Sequence, residues 1–320
     1  MEDTGRAGVC RPFVNCQTAK EAAYKGIFQQ KCDLTDNKSE LVCCTKADCP
    51  PLPKGLVTQL PIGSKAADYC IELAEKIRPC QETRSGWTRR DLCPLLTADL
   101  NIEYRQTPMT TTAEAPHFGL IGSGQIGNIT WAGHPVSLVN DRWVLCSAIS
   151  IERIGSNNVQ FIGLGGTPTP RYNPDEIYGV TQKYSHPLFN SGYSRVYNNI
   201  AILRLDREVT FTNRILPACL HTGTSLPISG FILTDAAGLK TTVQRSSQEE
   251  CSKVFPAIIS STSGHPEGVK HDLEICSRLD KTTGKCPSWF YGAPLTLPNS
   301  HRVVCTHLLV GLVSWDVSLC

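Results

Sequence analysis

The chain has 320 residues, a formal charge of +2 and a hydrophobic fraction of 41%. A charge this near zero does not point to a nucleic-acid partner, and no run of about 18 apolar residues is present to span a bilayer as a helix. The length suits one substantial core with a smaller appendage, and sixteen cysteines beside two methionines point to an oxidising compartment.

Met1-Glu2-Asp3-Thr4-Gly5 lacks the apolar segment of about 7 to 15 residues that marks an export signal. The cysteines and the N-glycosylation sequons at Asn37 (Asn37-Lys38-Ser39) and Asn128 (Asn128-Ile129-Thr130) nevertheless favour a secreted, extracellular protein. A natural sequence that begins before Met1 is therefore expected. Residues 10–44 carry Cys10, Cys16, Cys32, Cys43 and Cys44, in the contexts Gly8-Val9-Cys10-Arg11-Pro12-Phe13-Val14-Asn15-Cys16 and Val42-Cys43-Cys44. This spacing resembles the clip domain, a small six-cysteine knot that precedes protease domains in arthropod extracellular cascades. The resemblance implies bonds Cys10–Cys32 and Cys16–Cys44, and leaves Cys43 waiting for a first cysteine ahead of Cys10. A segment this small buries too little surface to fold unaided, and each bridge would contribute on the order of 3 kcal/mol by constraining the unfolded chain.

Residues 45–101 read as a linker. It opens on the stiff run Cys49-Pro50-Pro51-Leu52-Pro53-Lys54 and then forms a helix over about 64–78, capped by Ser64 and stopped by Pro79. Ala67, Cys70, Ile71, Ala74 and Ile77 fall on one face, with Glu72, Glu75 and Lys76 turned away, a stripe suited to packing on a neighbouring domain.

From 102 to 320 the pattern is of short strands and turns. Val136–Leu138 and Trp143–Leu145 flank an Asn140-Asp141 turn, and Ile200–Leu205 and Leu308–Trp315 are apolar runs between polar loops. Three stretches carry more than strand propensity. Val144 to Ser150 reads Val-Leu-Cys-Ser-Ala-Ile-Ser, Tyr197 to Leu205 reads Tyr-Asn-Asn-Ile-Ala-Ile-Leu-Arg-Leu, and Trp289 to Leu295 reads Trp-Phe-Tyr-Gly-Ala-Pro-Leu. In that order they are similar to the three catalytic stretches of the chymotrypsin-like (S1) serine proteases, Val-Leu-Thr-Ala-Ala-His-Cys, Asn-Asp-Ile-Ala-Leu-Leu and Gly-Asp-Ser-Gly-Gly-Pro-Leu. Phe211–Leu220, with its Pro-Ala-Cys-Leu ending, and Leu309–Trp315 extend the likeness.

The resemblance implies a mainly β fold: a double β-barrel over 102–320, preceded by the small disulfide-rich clip domain. It also implies that Ile149 stands where the general-base histidine belongs, Asn199 where the orienting aspartate belongs, and Tyr291 where the nucleophilic serine belongs. Ile149 accepts no proton, and a phenol on a rigid ring cannot put its oxygen where a serine hydroxyl would lie. Losing the nucleophile or the base alone costs about 10⁶ in kcat in a well-studied triad. Further departures follow. Trp289 falls near the oxyanion-hole glycine, the stretch from Cys286 to Pro294 is longer than the family's, and Leu100–Thr107 lacks the Ile-Val-Gly-Gly terminus. Phe290 replaces the aspartate that would receive that terminus. In the specificity pocket, Gly284 stands where trypsin-like members carry aspartate and Asp316 where they carry glycine. By family connectivity Cys251 bonds Cys276, Cys286 bonds Cys320, and Cys219 takes a linker cysteine, either Cys93 or Cys70. The disulfide of the histidine loop is lost on both sides, at His134 and Ser150.

Gly163-Leu164-Gly165-Gly166 lacks the Lys-Ser or Lys-Thr of a phosphate loop and reads as a turn. His301 and Cys305 lack further ligands for zinc, and Cys146 reads as an inert core thiol; the residues do not identify partners for Cys43, Cys49, Cys80, Cys146 or Cys305. No cofactor or metal is expected. The expectation is a secreted, non-catalytic serine protease homologue. It would regulate or scaffold an extracellular proteolytic cascade, such as arthropod melanization, through protein partners that are cascade proteases or their zymogen substrates. The alternatives are an active serine endopeptidase and a nonfunctional truncated gene product, since the family's strand and helix beyond the last cysteine are not found after Cys320.

Overall fold

The computed structural model describes residues 8–13, 16–24, 26, 41–45, 65–78, 80–83, 86–89, 107–108, 114–166, 172–190, 197–222, 226–254, 269–270, 273–279, 291–297 and 306–314. Near the N-terminus, β1 (Gly8–Pro12) pairs antiparallel with β2 (Leu41–Thr45), placing Cys10 opposite Cys43 and Val9 opposite Cys44. Helix α1 (Gln17–Tyr24) lies beside them, and Cys16, Ala19 and Val42 form a small buried cluster with Phe13 against it. Cys32 and Asn37 lie outside the described residues.

Helix α2 (Lys65–Ile77) occupies the span expected from the apolar stripe. Its buried side chains are Cys70, Leu73 and Ile77, so Leu73 belongs to the docked face although the stripe read from the sequence passes over it. It is one turn from each of the other two, at i+3 and i−4. Among the other stripe residues, the side chains of Ala67, Ile71 and Ala74 lie outside the described set. Cys70 is disulfide-bonded to Cys219, and Lys76 reaches Asp141 at 2.6 Å. A hairpin of β3 (Cys80–Thr83) and β4 (Gly86–Arg89) follows.

The mainly β, two-sheet architecture typical of the double barrel expected for the remainder is present, as one closed barrel and a second sheet. Strands β6 (Phe118–Gln125), β7 (Asn128–Leu138), β8 (Trp143–Cys146), β9 (Phe161–Leu164), β10 (Ile177–Ser185) and β11 (Ala201–Leu205) close into a barrel in the order β10-β11-β8-β7-β6-β9. Closure removes every exposed strand edge. The interior follows from period-2 alternation: Ala201, Leu203 and Leu205 of β11 point inward while Ile202 and Arg204 do not. They meet Ile121, Val136, Leu138, Val144, Ile162 and Leu164 in one core, each large aliphatic side chain contributing about 1.5–3 kcal/mol by burial. Cys146 is in this core as a free, buried thiol, pushed up to about 12 by burial.

The second sheet runs β12 (Cys219–Leu220), β17 (Leu308–Leu312), β16 (Pro294–Leu297), β13 (Phe231–Thr234), β14 (Leu239–Arg245), β15 (Ser277–Leu279), with β5 (Thr107–Pro108) also on β14. Its core is Phe231, Leu233, Val243 and Leu295. Cys251, on α4 (Gln248–Val254), is disulfide-bonded to Cys276 just before β15. Strand β17 is shorter than the apolar run suggested: the ladder ends at Leu312, and Val313 instead donates its N–H to Ala293 and accepts from Gly292, both at 2.8 Å. No helix among the described residues is long and apolar enough to cross a membrane.

Candidate functional site

The three residues at the expected triad positions come together where the barrel meets the second sheet. Strand β8 ends at Cys146, and after one extended residue, Ser147, helix α3 (Ala148–Ile154) begins. Ser147 occupies the N-cap but makes no capping bond, because its hydroxyl donates to Asn199 Oδ1 at 2.7 Å. The Ile149 N–H donates to the same oxygen at 2.8 Å. Asn199 stands two residues before the start of β11, after Asn198 in the left-handed region at φ 57°, a conformation asparagine adopts more readily than most residues. On its other side, the Asn199 amide donates from Nδ2 to the Ser314 carbonyl at 3.1 Å, with Ser314 Oγ at 3.2 Å. Asn199 is thus a buried clamp between the two halves. Its oxygen accepts twice and its amide nitrogen donates to the opposite side.

Tyr291 lies in the turn before β16. Its backbone carbonyl accepts the Ser150 hydroxyl at 3.0 Å, and its phenol oxygen accepts from Arg153 Nη2 at 3.3 Å. The Arg153 guanidinium stands 4.5 Å from the centre of the same ring, an exposed cation–π contact of about 0.5–1 kcal/mol. Position 291 is therefore occupied by an aromatic ring held by the last turn of α3. The next residue, Gly292, has φ 89°, and a Cβ there would lie 2.8 Å from the Pro135 carbonyl oxygen and 3.2 Å from the Ser147 nitrogen. Gly292→Ala is expected to cost about 3 kcal/mol, combining left-handed strain with a contact to backbone that cannot swing away; a urea midpoint measures it.

His134 and Ser150, the positions where the resemblance implies a lost disulfide, face each other with His134 Nδ1 3.0 Å from Ser150 Oγ. The single hydroxyl proton of Ser150 is directed to the Tyr291 carbonyl, so the His134 Nδ1–H donates to Ser150. Burial, and then the Arg153 charge, lower the His134 pKa and keep the ring neutral. A serine beside a histidine has the composition of a nucleophile and its base. Here Ser150 is fully buried and its proton is already committed, so the contact is a polar cross-link where a covalent one would stand. Among the described residues no three metal-ligating side chains converge.

Trp289, Phe290, Gly284, Asp316, Cys93, Cys286, Cys320, His301 and Cys305 lie outside the described residues. Cys10 and Cys44 are placed by strand register alone, and Cys16 and Cys80 are disulfide-bonded. Of the two linker cysteines open for Cys219, the bond is made by Cys70. Asn128 is the exposed first residue of β7. Three contributors to the site were not singled out from the sequence: Ser147, Arg153 and Ser314. Arg153 stands at i+4 from Ile149 on α3, a spacing that could have nominated it.

The family model described as trypsin matches residues 132–319, more than half of the chain. Among curated proteins, the chain is similar to phenoloxidase-activating factor 1 of Holotrichia diomphalia, 27% identical over 237 residues, covering 65% of this chain and 61% of that one. It is also similar to CLIP domain-containing serine protease B10 of Anopheles gambiae, 28% identical over 150 residues (38% of this chain, 41% of the relative). Melanization protease 1 of Drosophila melanogaster is 31% identical over 129 residues, covering 35% of this chain and 32% of the relative. The chain thus spans less than two thirds of the length of each of these relatives.

Proposed function

The chain belongs to the trypsin family, and from that premise we propose that it is a non-catalytic member, acting by binding in an extracellular proteolytic cascade. The observation that carries the reading is the meeting of Ile149, Asn199 and Tyr291 at one place. Asn199 reaches the Ile149 backbone and Ser150 the Tyr291 backbone, so the three substitutions fall on one site and not on three unrelated strands. A hydrocarbon, an amide and a phenol there supply no base, no orienting carboxylate and no serine nucleophile. The names of the relatives refer to phenoloxidase activation and melanization. By that kinship the proposed setting is a melanization-type cascade, and the proposed partners are its proteases or their zymogens.

The first test is chemical. Intact-mass analysis after incubation with a serine-directed phosphonate is expected to return unmodified protein, while a trypsin control labels fully; stoichiometric labelling of this chain would overturn the non-catalytic reading and favour the endopeptidase alternative. The binding role is tested separately, by following cleavage of a zymogen by an active cascade protease with and without the purified chain. A changed rate or an isolable complex is expected. No change and no complex would count against a cofactor role.

A further inference from the structure

Where the first barrel meets the second sheet, two histidines stand face to face with little to support a charge. His117 immediately precedes β6, and its carbonyl accepts the N–H of Leu138 at 2.7 Å, which fixes it to the barrel. Its ring is completely buried, and neither ring nitrogen has a hydrogen-bond partner among the described residues. The neighbouring ring belongs to His307, which immediately precedes β17 in the second sheet; the centroids are 5.2 Å apart and the planes tilted by 47°. The His307 carbonyl accepts the Cys219 N–H at 3.0 Å, and its Nδ1 lies 3.2 Å from Thr296 Oγ1 on β16. The adjacent Thr306 hydroxyl is 3.6 Å from Cys219 Sγ, so the pair borders the strand to which α2 is tied. The charges bearing on it are Lys240 on β14, which acts on His307, and Glu114, ahead of β6, which forms an ion pair with Lys240. Among the described residues no carboxylate acts on either ring to stabilise an imidazolium.

We propose that His117 and His307 form an acid-sensitive latch, holding the first barrel against the second sheet while both rings are neutral and releasing that seam when they are protonated. A proton on His117 creates a second buried N–H with no acceptor, and a proton on His307 adds a cation beside Lys240 and a second ring. Consistent with this geometry, burial and the His307 ring lower the His117 pKa well below its ordinary value, and burial with Lys240 pushes His307 down to about 4. Both are depressed relative to an open or unfolded chain, where histidine titrates near about 6.5. The closed state therefore has its full stability above about pH 6.5 and loses it as the pH falls toward the folded values. Each histidine raises the unfolding equilibrium constant by up to about tenfold per pH unit in that window.

The experiment is urea unfolding of the full chain at pH 7.5, 6.5, 5.5 and 4.5 for wild type, His117→Leu, His307→Gln and the double variant. His117→Leu removes no hydrogen bond, and His307→Gln keeps a polar group toward Thr296. From pH 6.5 to 5.5 the unfolding constant of the wild type is expected to rise at least tenfold more than that of the double variant, with the single variants between. The other six histidines of the sequence, His134, His186, His221, His265, His271 and His301, are common to all four proteins and cancel. Parallel pH profiles for wild type and double variant would overturn the latch. Where His117→Leu does not fold, His117→Phe and His307→Gln carry the same comparison. Hydrogen exchange at pH 5.5, faster in the wild type than in the variants at Phe118–Leu120 and Leu308–Leu312, locates the release at the seam; equal exchange there would also overturn it.

Discussion

Replacing Cys70 and Cys219 together by serine is expected to destabilise the chain by about 4 kcal/mol and to free α2 while the first barrel stays folded. The bond spans 149 residues, and closing so long a loop in the unfolded chain accounts for most of the effect in the chain-entropy view. What then remains at the α2 interface is modest. Leu73 and Ile77 are fully buried and contribute about 1.5–3 kcal/mol each before the cost of ordering the helix. The Lys76–Asp141 pair is about one-third to two-fifths exposed, at 42% and 33%, so it adds at most about 1 kcal/mol. Isolated helices of 13 residues are marginal in water. Limited proteolysis should therefore cut the double variant between residues 65 and 78 at a protease concentration that leaves wild-type α2 intact. Unchanged protection of α2, with an unchanged urea midpoint, would mean that packing alone holds the helix.

The fold was legible where one physical rule dominated. Strand β11 reads correctly because Ala201, Leu203 and Leu205 alternate with more exposed neighbours, and α2 because its apolar residues recur at helical spacing. Leu73 shows the limit of that reading: a stripe drawn from Ala67 and Ile71 displaces a residue that shares a face with Cys70 and Ile77. The site divides along the same line. Ile149, Asn199 and Tyr291 could be located because each sits in a local motif. Ser314 and Arg153 matter through contacts with residues 115 and 138 positions away, and local spacing carries no record of such contacts. His134 and Ser150 lie between these cases. The family resemblance implies a cystine at these two positions, but only the three-dimensional arrangement makes them a hydrogen-bonded pair that passes on to the Tyr291 carbonyl.

Asn199→Leu is the substitution in the site with the largest expected cost, about 4 kcal/mol. It leaves the Ser147 hydroxyl and the Ile149 N–H, both turned toward a buried oxygen at 2.7 and 2.8 Å, without an acceptor, at about 1–3 kcal/mol each. It also removes the amide that reaches the second sheet. Asn199→Asp is the informative partner. A carboxylate keeps both acceptances, and the Ser314 hydroxyl can turn to donate to it. The Ser314 carbonyl, now given an N–H at 3.1 Å, would instead face an oxygen. About half the cost of the leucine variant is expected, read as urea midpoints of the two proteins side by side. That ordering assigns position 199 a structural task separable from catalysis: two donors at the start of α3 and the backbone at Ser314 need one bridging side chain, and an amide serves both. With Ile149 opposite, an aspartate here would have no imidazole to orient, so Asn199→Asp is expected to remain inert to a serine-directed phosphonate. If Asn199→Asp proved as stable as wild type, the donation to the Ser314 carbonyl would carry no weight and the case for a dedicated clamp would fail.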